Sequence, residues 1–215
     1  RFVTEKNAVV VYLSASGNTA RVAGWIVEAL VSHNYAVHEF KIPDIRGQLP
    51  QEIAAADIVF VGTPTYMWHT PKIVNAFLMS LPTMNGRPIG LFTTFGGVTV
   101  GSNLSGMARM IRKKNGRVVG ALQLEGEHAM MFRSGDPLAK GKPDESHIPY
   151  VKRFVKLCLQ RAATPDYQLK KIPGVMQHFS FLTPVPIAEK VIPQVKLDRA
   201  KCTLCGECVD VCPTY

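Results

Sequence analysis

Short apolar runs alternate with helix-patterned stretches over the first 160 residues, and this alternation restricts the chain to a parallel α/β sheet. Residues 8–13 (AVVVYL) form a continuous apolar run, as expected of a strand covered on both faces. Residues 18–31 follow with helical spacing, placing Val22, Trp25, Ile26, Ala29 and Leu30 on one side. Further strands are predicted at 35–42, 57–62, 88–94 and 117–124. Helices are predicted at 71–81, at 102–115 (closed by Gly116) and at 147–162. Five strands joined by helical crossovers make a doubly wound five-stranded parallel sheet. Two stretches break the rhythm. Residues 126–149 carry Gly135, Pro137, Gly141 and Pro143, and read as a long loop leaving the end of the fifth strand, where it can cover a ligand. Residues 164–200 hold five prolines and little periodicity, and read as a linker or strap. The expected organisation is therefore an α/β domain over 1–163, a linker over 164–200 and the start of a small second domain over 201–215.

That second domain is defined by cysteines. Cys202, Cys205, Cys208 and Cys212, followed by Pro213, have the spacing C-x₂-C-x₂-C-x₃-C-P, which ligates iron–sulfur clusters in bacterial ferredoxins. A structural zinc knuckle is the other use of close cysteines, but it usually pairs two short units across a longer loop. In two-cluster ferredoxins the fourth cysteine of such a run serves the other cluster. By that rule Cys202, Cys205 and Cys208 await a fourth ligand and Cys212 belongs to a second cluster. Together with a first residue other than methionine, this suggests a chain cut inside its C-terminal domain. Cys158 lies in an apolar helical stretch and reads as a core thiol. Cysteines at cluster spacing argue for a reducing, cytoplasmic setting rather than a disulfide framework.

No run of eighteen apolar residues is present, so no membrane span is expected. The formal net charge of +9 is unevenly placed: residues 1–100 carry seven Lys/Arg against six Asp/Glu, and residues 101–215 carry eighteen against ten. A basic half suits docking to an acidic redox protein, although solvated helix faces produce the same count. The basic residues are dispersed and carry no nucleic-acid recognition motif.

Ligands of open parallel sheets sit at the carboxyl ends of the strands. Three segments fall there. Ser14, Ala15, Ser16, Gly17, Asn18 and Thr19 join the first strand to the first helix. They offer three hydroxyls, an amide and the free N–H groups of a helix start, with no cationic side chain. That chemistry suits a phosphate monoester held by hydrogen bonds; helix capping by Ser16 or Asn18 would place similar residues here. The segment fits neither the dinucleotide nor the triphosphate loop pattern. After the third strand come Thr63, Pro64, Thr65, Tyr66, Met67 and Trp68, and after the fourth Thr94, Phe95, Gly96 and Gly97. Aromatic and thioether side chains beside flexible backbone can sandwich a flat ring. No nucleophilic or acid–base constellation accompanies these loops; His69 and His128 are the only proton-transfer candidates, and both read more simply as loop histidines.

The segment VVVYLSASGNTARV, residues 9–22, resembles the first strand and phosphate loop of flavodoxins, T/S-x-T/S-G-x-T. Thr63–Tyr66 and Thr94–Gly97 resemble their second and third flavin-contacting loops. With the cysteine run behind it, the whole resembles bacterial and archaeal flavodoxin–ferredoxin fusion proteins. The resemblance implies non-covalent FMN, with its phosphate on Ser14, Ser16, Gly17, Asn18 and Thr19 and its ring on 65–68 and 94–97. It also implies 4Fe–4S clusters and a role in electron transfer between the two. Two departures are visible. Tyr66-Met67-Trp68 lacks the glycine that flavodoxins often place beside flavin N5, so strong stabilisation of the one-electron-reduced flavin is not expected. Flavodoxins are also typically acidic, and this chain is basic. The rival reading is a flavodoxin-like NAD(P)H-dependent quinone or FMN reductase, which Gly62-Thr-Pro-Thr65 also fits but which needs no cluster. A flavodoxin-like scaffold without flavin fits the hydroxyl-rich loop poorly.

Overall fold

The computed structural model describes residues 6–45, 47–172 and 199–205. Five strands form one sheet in the order β2-β1-β3-β4-β5, every neighbour parallel: β1 Lys6–Tyr12, β2 Tyr35–Lys41, β3 Ile58–Pro64, β4 Pro88–Phe95 and β5 Arg117–Glu125. The crossovers are helical: α1 Asn18–Ser32, the short α2 Gln51–Ala55, α3 Lys72–Ser80 and α4 Asn103–Lys113, with α5 Ile148–Ala162 closing the unit. The doubly wound sheet is the one the alternation predicts. A two-stranded ribbon, β6 Phe132–Arg133 with β7 Asp136–Pro137, and the single turn α2 are not legible in the periodicity, because each is too short to carry one.

The pleat sorts the strand residues between two cores. Val9, Val11, Val59, Val61, Ile89 and Leu91 face α3 and α4 with Val74, Leu78, Leu104, Met107 and Ile111. Ala8, Val10, Ile58, Phe60 and Phe92 face α1 and α5 with Val22, Ile26, Leu30, Val151 and Val155. The central strands carry a paired device on the second face. Phe60 sits opposite Gly90, and Gly62 opposite Phe92. A Cβ on Gly62 would lie 2.1 Å from the Phe92 ring, and one on Gly90 would lie 2.6 Å from Phe60. Each glycine is thus the space into which its neighbour's ring lies. Phe60 then meets Phe154 of α5 edge-on, with ring centroids 5.7 Å apart. Cys158 is fully buried in this core, where its Sγ fills the space beside Gly120.

Two boundaries differ from the sequence reading. Gly116 does not terminate α4 through a left-handed conformation; Asn115 does, at φ 57°. Asn115 N–H donates to the Arg112 carbonyl and Gly116 N–H to the Ile111 carbonyl, both at 3.0 Å, in the paired pattern of a Schellman motif. Gly116 is needed for space: a Cβ there would lie 2.7 Å from Ile111. The stretch after α5 is also not a free linker from its first residue. Leu169 N–H donates to the Val118 carbonyl at 2.8 Å, Arg117 donates to the carbonyls of Ala162, Thr164 and Tyr167, and Leu169 and Ile172 pack on the α3/α4 core. Residues 173–198 of the expected strap, and Cys208 and Cys212, lie outside the described residues.

Candidate flavin and cluster sites

The carboxyl ends of β1, β3, β4 and β5 converge on one edge of the sheet, and the site is built from the turns that leave them. After β1 the chain reaches Gly17 at φ 85°, a left-handed conformation that glycine adopts without cost, and α1 begins at the next residue. Gly17, at the cap position, has no side chain to cap the helix. Ser14 Oγ accepts the Ala20 N–H at 3.1 Å, and the Gly17 carbonyl accepts that of Arg21 at 2.9 Å. Asn18 Nδ2 donates to the Glu127 carbonyl at 2.9 Å. Arg21, the nearest cation in sequence, donates to the Pro143 carbonyl. Helix capping therefore does not account for Ser16 and Asn18. An α-helix leaves its first N–H groups without partners inside the helix, and here they border the open space above Gly17. Amides and hydroxyls without a cation are a donor set that fits a phosphate ester.

Beneath this turn lies a network of buried hydroxyls. Thr19 and Thr94 share a hydrogen bond of 2.8 Å between their Oγ1 atoms, tying α1 to the end of β4. Thr93 Oγ1 donates to the Thr63 carbonyl at 2.7 Å and meets Thr65 Oγ1 at 3.0 Å. At the centre is Asn103, the first residue of α4, with no solvent exposure. Its Nδ2 faces Thr65 Oγ1 at 2.9 Å and Thr93 Oγ1 and the Pro64 carbonyl at 3.2 Å, while Oδ1 accepts from Thr70 Oγ1. One amide thus ties the ends of β3 and β4 to the start of α4. The sequence reading missed it, since an asparagine at a helix start reads as a cap; only its burial marks it as a hub.

The turn after β3 is a tight reversal. Tyr66 and His69 exchange backbone hydrogen bonds at 3.0 and 2.9 Å, with Met67 at φ 46° and Trp68 at φ 65°. Non-glycine residues in this region cost roughly 1–2 kcal/mol each. The turn is held from outside: the Trp68 carbonyl accepts the Ser102 N–H at 2.9 Å, and Ser102 Oγ meets His69 Nδ1 at 2.9 Å. Trp68 packs so closely on Gly101 that a Cβ there would lie 2.4 Å from its own. His69 Nε2 is buried with no partner among the described residues.

A narrow cleft opens beside these turns. Of the residues expected to hold a ligand, Ala15, Ser16, Asn18, Pro64, Thr65, Tyr66, Thr94, Phe95 and Gly96 line it. Ser14, Gly17, Thr19, Thr63, Met67, Trp68 and Gly97 stand behind or beside it. The reversed turn carries Trp68 over Gly101, and Thr63 is fully buried within β3. Tyr66 remains 44% exposed at the cleft, and burial of its phenol raises its pKa. The far wall was not foreseen at residue level: Gly126, Glu127, His128, Ala129 and Met130 close the cleft from the long loop after β5. The loop is pinned where it starts. Gly126 N–H donates to the Phe95 carbonyl at 2.9 Å, and a Cβ on Gly126 would lie 2.8 Å from Asn18. The loop returns to the fold at Asp144, which accepts from Lys142 at 2.7 Å and from Ser146 at 2.5 Å; these bonds hold its carboxyl well below the usual carboxylate range.

Residues 9–119 match the family model of the flavodoxin domain, and residues 195–215 match that of the 4Fe-4S binding domain. The chain belongs to the flavodoxin family. Its fold is similar to that of a flavodoxin from the domain Archaea, at 22% identity and a TM-score of 0.56, covering 74% of this chain and 99% of that one. It is also similar to Megasphaera elsdenii flavodoxin in its two-electron reduced form, at 19% identity and a TM-score of 0.54, covering 71% and 98%. The rubredoxin oxygen:oxidoreductase of Desulfovibrio gigas matches at 18% identity and a TM-score of 0.56, over 74% of this chain and 37% of that one. A comparison with curated proteins returns no match.

A flavodoxin domain followed by a 4Fe–4S domain makes this a flavodoxin–ferredoxin fusion, an electron-transfer protein that uses FMN and a 4Fe–4S cluster. The cluster domain sets it apart from the reductase reading. Of the four cysteines at cluster spacing, Cys202 is partly exposed and Cys205 exposed. Cys158 cannot join them in the folded domain: it is enclosed in the α1/α5 core, and desolvation pushes its thiol far above the usual range despite Arg161 nearby. No helix among the described residues is long and apolar enough to cross a membrane.

Proposed function

We propose that this domain holds FMN with the phosphate on Ser14, Ser16, Gly17, Asn18 and Thr19, and the ring in the cleft between Tyr66 and the 94–97 and 126–130 walls. The observation that carries this reading is the cation-free turn at Gly17, open above the glycine and backed by the buried Thr19–Thr94 hydroxyl pair. FMN, when bound, accepts and releases electrons singly or in pairs. The protein's part is to hold it at the sheet edge, anchor the phosphate and wall off one side of the ring. Cys202, Cys205, Cys208 and Cys212 supply thiolates to 4Fe–4S clusters, which pass electrons one at a time. Joining both modules in one chain raises their effective concentration for each other. The flavin domain extends past residue 163, since Tyr167, Leu169 and Ile172 pack on it. The basic half, carrying the cluster motif, docks an acidic redox protein in the cytoplasm, and its association slows as salt rises.

The test is anaerobic purification followed by identification of the released flavin. FMN, not FAD, is expected, and Thr19→Ala weakens its binding by about 1–3 kcal/mol. A colourless protein that does not take up added FMN overturns the reading.

A further inference from the structure

The loop segment 128–131, whose first three residues wall the cleft, is folded around one imidazole. His128 Nδ1 accepts the backbone N–H groups of both Met130 and Met131, each at 3.1 Å. The ring lies against Gly96, where a Cβ would sit 2.1 Å from His128 Cδ2. The backbone on either side is tied to the returning strand of the loop: His128 N–H donates to the Leu138 carbonyl at 2.8 Å, and Leu138 N–H to the Met131 carbonyl at 2.9 Å. Beyond these bonds the turn has little to hold it, for Met130 is 73% and Met131 48% exposed.

An imidazole nitrogen accepts only when it carries no proton. Two N–H groups converging on Nδ1 therefore require the neutral ring with its proton on Nε2. We propose that His128 is a positioning residue for flavin binding: in its neutral Nε2–H form it clamps the 130–131 backbone as the outer wall of the cleft, and protonation of Nδ1 releases that wall. The proposal rests on the FMN reading of the cleft. It makes flavin retention proton-linked, because a protonated ring turns two attractive contacts into N–H groups facing N–H.

Most charged groups of the loop and its surroundings have partners. Glu127 accepts the Gly141 N–H at Oε2, Lys142 is paired with Asp144, and Lys140 with Asp136. Arg21 donates to the Pro143 carbonyl. Across the cleft stands Tyr66, and Glu125 ends β5 next to the loop. Burial raises the Tyr66 phenol, which keeps it neutral over the range in which histidines titrate.

Three full-length proteins test this: wild type, His128→Asn and His128→Phe. Asn Oδ1 stands the same number of bonds from the backbone as Nδ1 and accepts at any pH. Phe keeps a ring against Gly96 and accepts nothing. FMN dissociation constants are measured by flavin fluorescence quenching at pH 8 and pH 5, and the His128 ring nitrogens are observed by ¹⁵N NMR with and without FMN. At pH 8, Phe weakens FMN binding by about tenfold, and Asn rescues it. At pH 5, wild type falls to the level of the Phe variant while Asn outbinds it. That crossing separates the clamp from ionisation of the FMN phosphate, which affects all three proteins alike. The NMR arm reads the clamp even where no FMN binds: Nδ1 is unprotonated at pH 8, and the Met130 and Met131 amide signals shift together with the ring as pH falls. An Nδ1–H tautomer at pH 8, or identical pH profiles for wild type and the Asn variant, overturns the proposal.

Discussion

Replacing Asn103 with alanine tests whether one buried amide couples the sheet edge to the flavin site. The side chain has no solvent exposure, so water does not replace what is removed. Nδ2 has two hydrogens for three oxygens, on Thr65, Thr93 and Pro64, and Oδ1 accepts one bond from Thr70. About three hydrogen bonds are therefore lost, at roughly 1 kcal/mol net each. The cost of stranded partners is small, because each keeps another contact. Thr70 Oγ1 still reaches the Asn103 carbonyl, Thr65 and Thr93 still meet each other, and the Pro64 carbonyl still accepts from Thr63 Oγ1. The expected loss is about 3 kcal/mol, nearly all of it from the hydrogen bonds. The damage falls on the joint between β3, β4 and α4, so FMN binding weakens as well, by about tenfold or 1.4 kcal/mol. Urea unfolding followed by circular dichroism gives the first number, and flavin fluorescence the second. Asn103→Leu, which fills the volume without donors, is expected to lose a similar amount. A loss below about 1 kcal/mol would refute the hydrogen-bond accounting. A full loss of stability with unchanged FMN affinity would refute the coupling.

Gly96→Ala is expected to push the His128 ring off the end of β4, since its Cβ would arrive 2.1 Å from Cδ2; flavin affinity falls while unfolding of the FMN-free protein shifts by only about 1–3 kcal/mol, measured by titration and urea melts. Thiol labelling of the folded, cluster-free protein at pH 8 should modify Cys205 and spare Cys158 until denaturant is added. Burial holds the Cys158 thiol above its unfolded value, so its contribution to stability is complete below about pH 8.5 and declines as pH rises beyond it. The fall in melting temperature between pH 8 and pH 10 should therefore be shallower in Cys158→Ala than in the parent.

Much of this protein is written in local pattern. An apolar run such as residues 8–13 reads as a strand with both faces covered, and five strand-like stretches separated by helical ones read as a doubly wound parallel sheet, whose strand order the tertiary structure supplied. The turn Ser14–Thr19 and the cysteine spacing at 202–212 are equally local, because the chemistry of a phosphate cradle or a cluster is carried by neighbours in sequence. Tertiary structure decided everything that depends on distant segments meeting. Asn103 became a hub because α4 starts beneath Thr65 and Thr93. His128 became a wall because β5 ends beside β4 and Gly96 leaves room for its ring. Trp68, which looked like a ring-stacking residue, was carried over Gly101 by two left-handed residues that no apolar pattern announces. Residues 164–172 read as linker, yet they are held by backbone bonds to β5 and Arg117. Periodicity reports which face of an element is buried. It does not report which partner buries it, and at the edge of a parallel sheet the partners come from opposite ends of the domain.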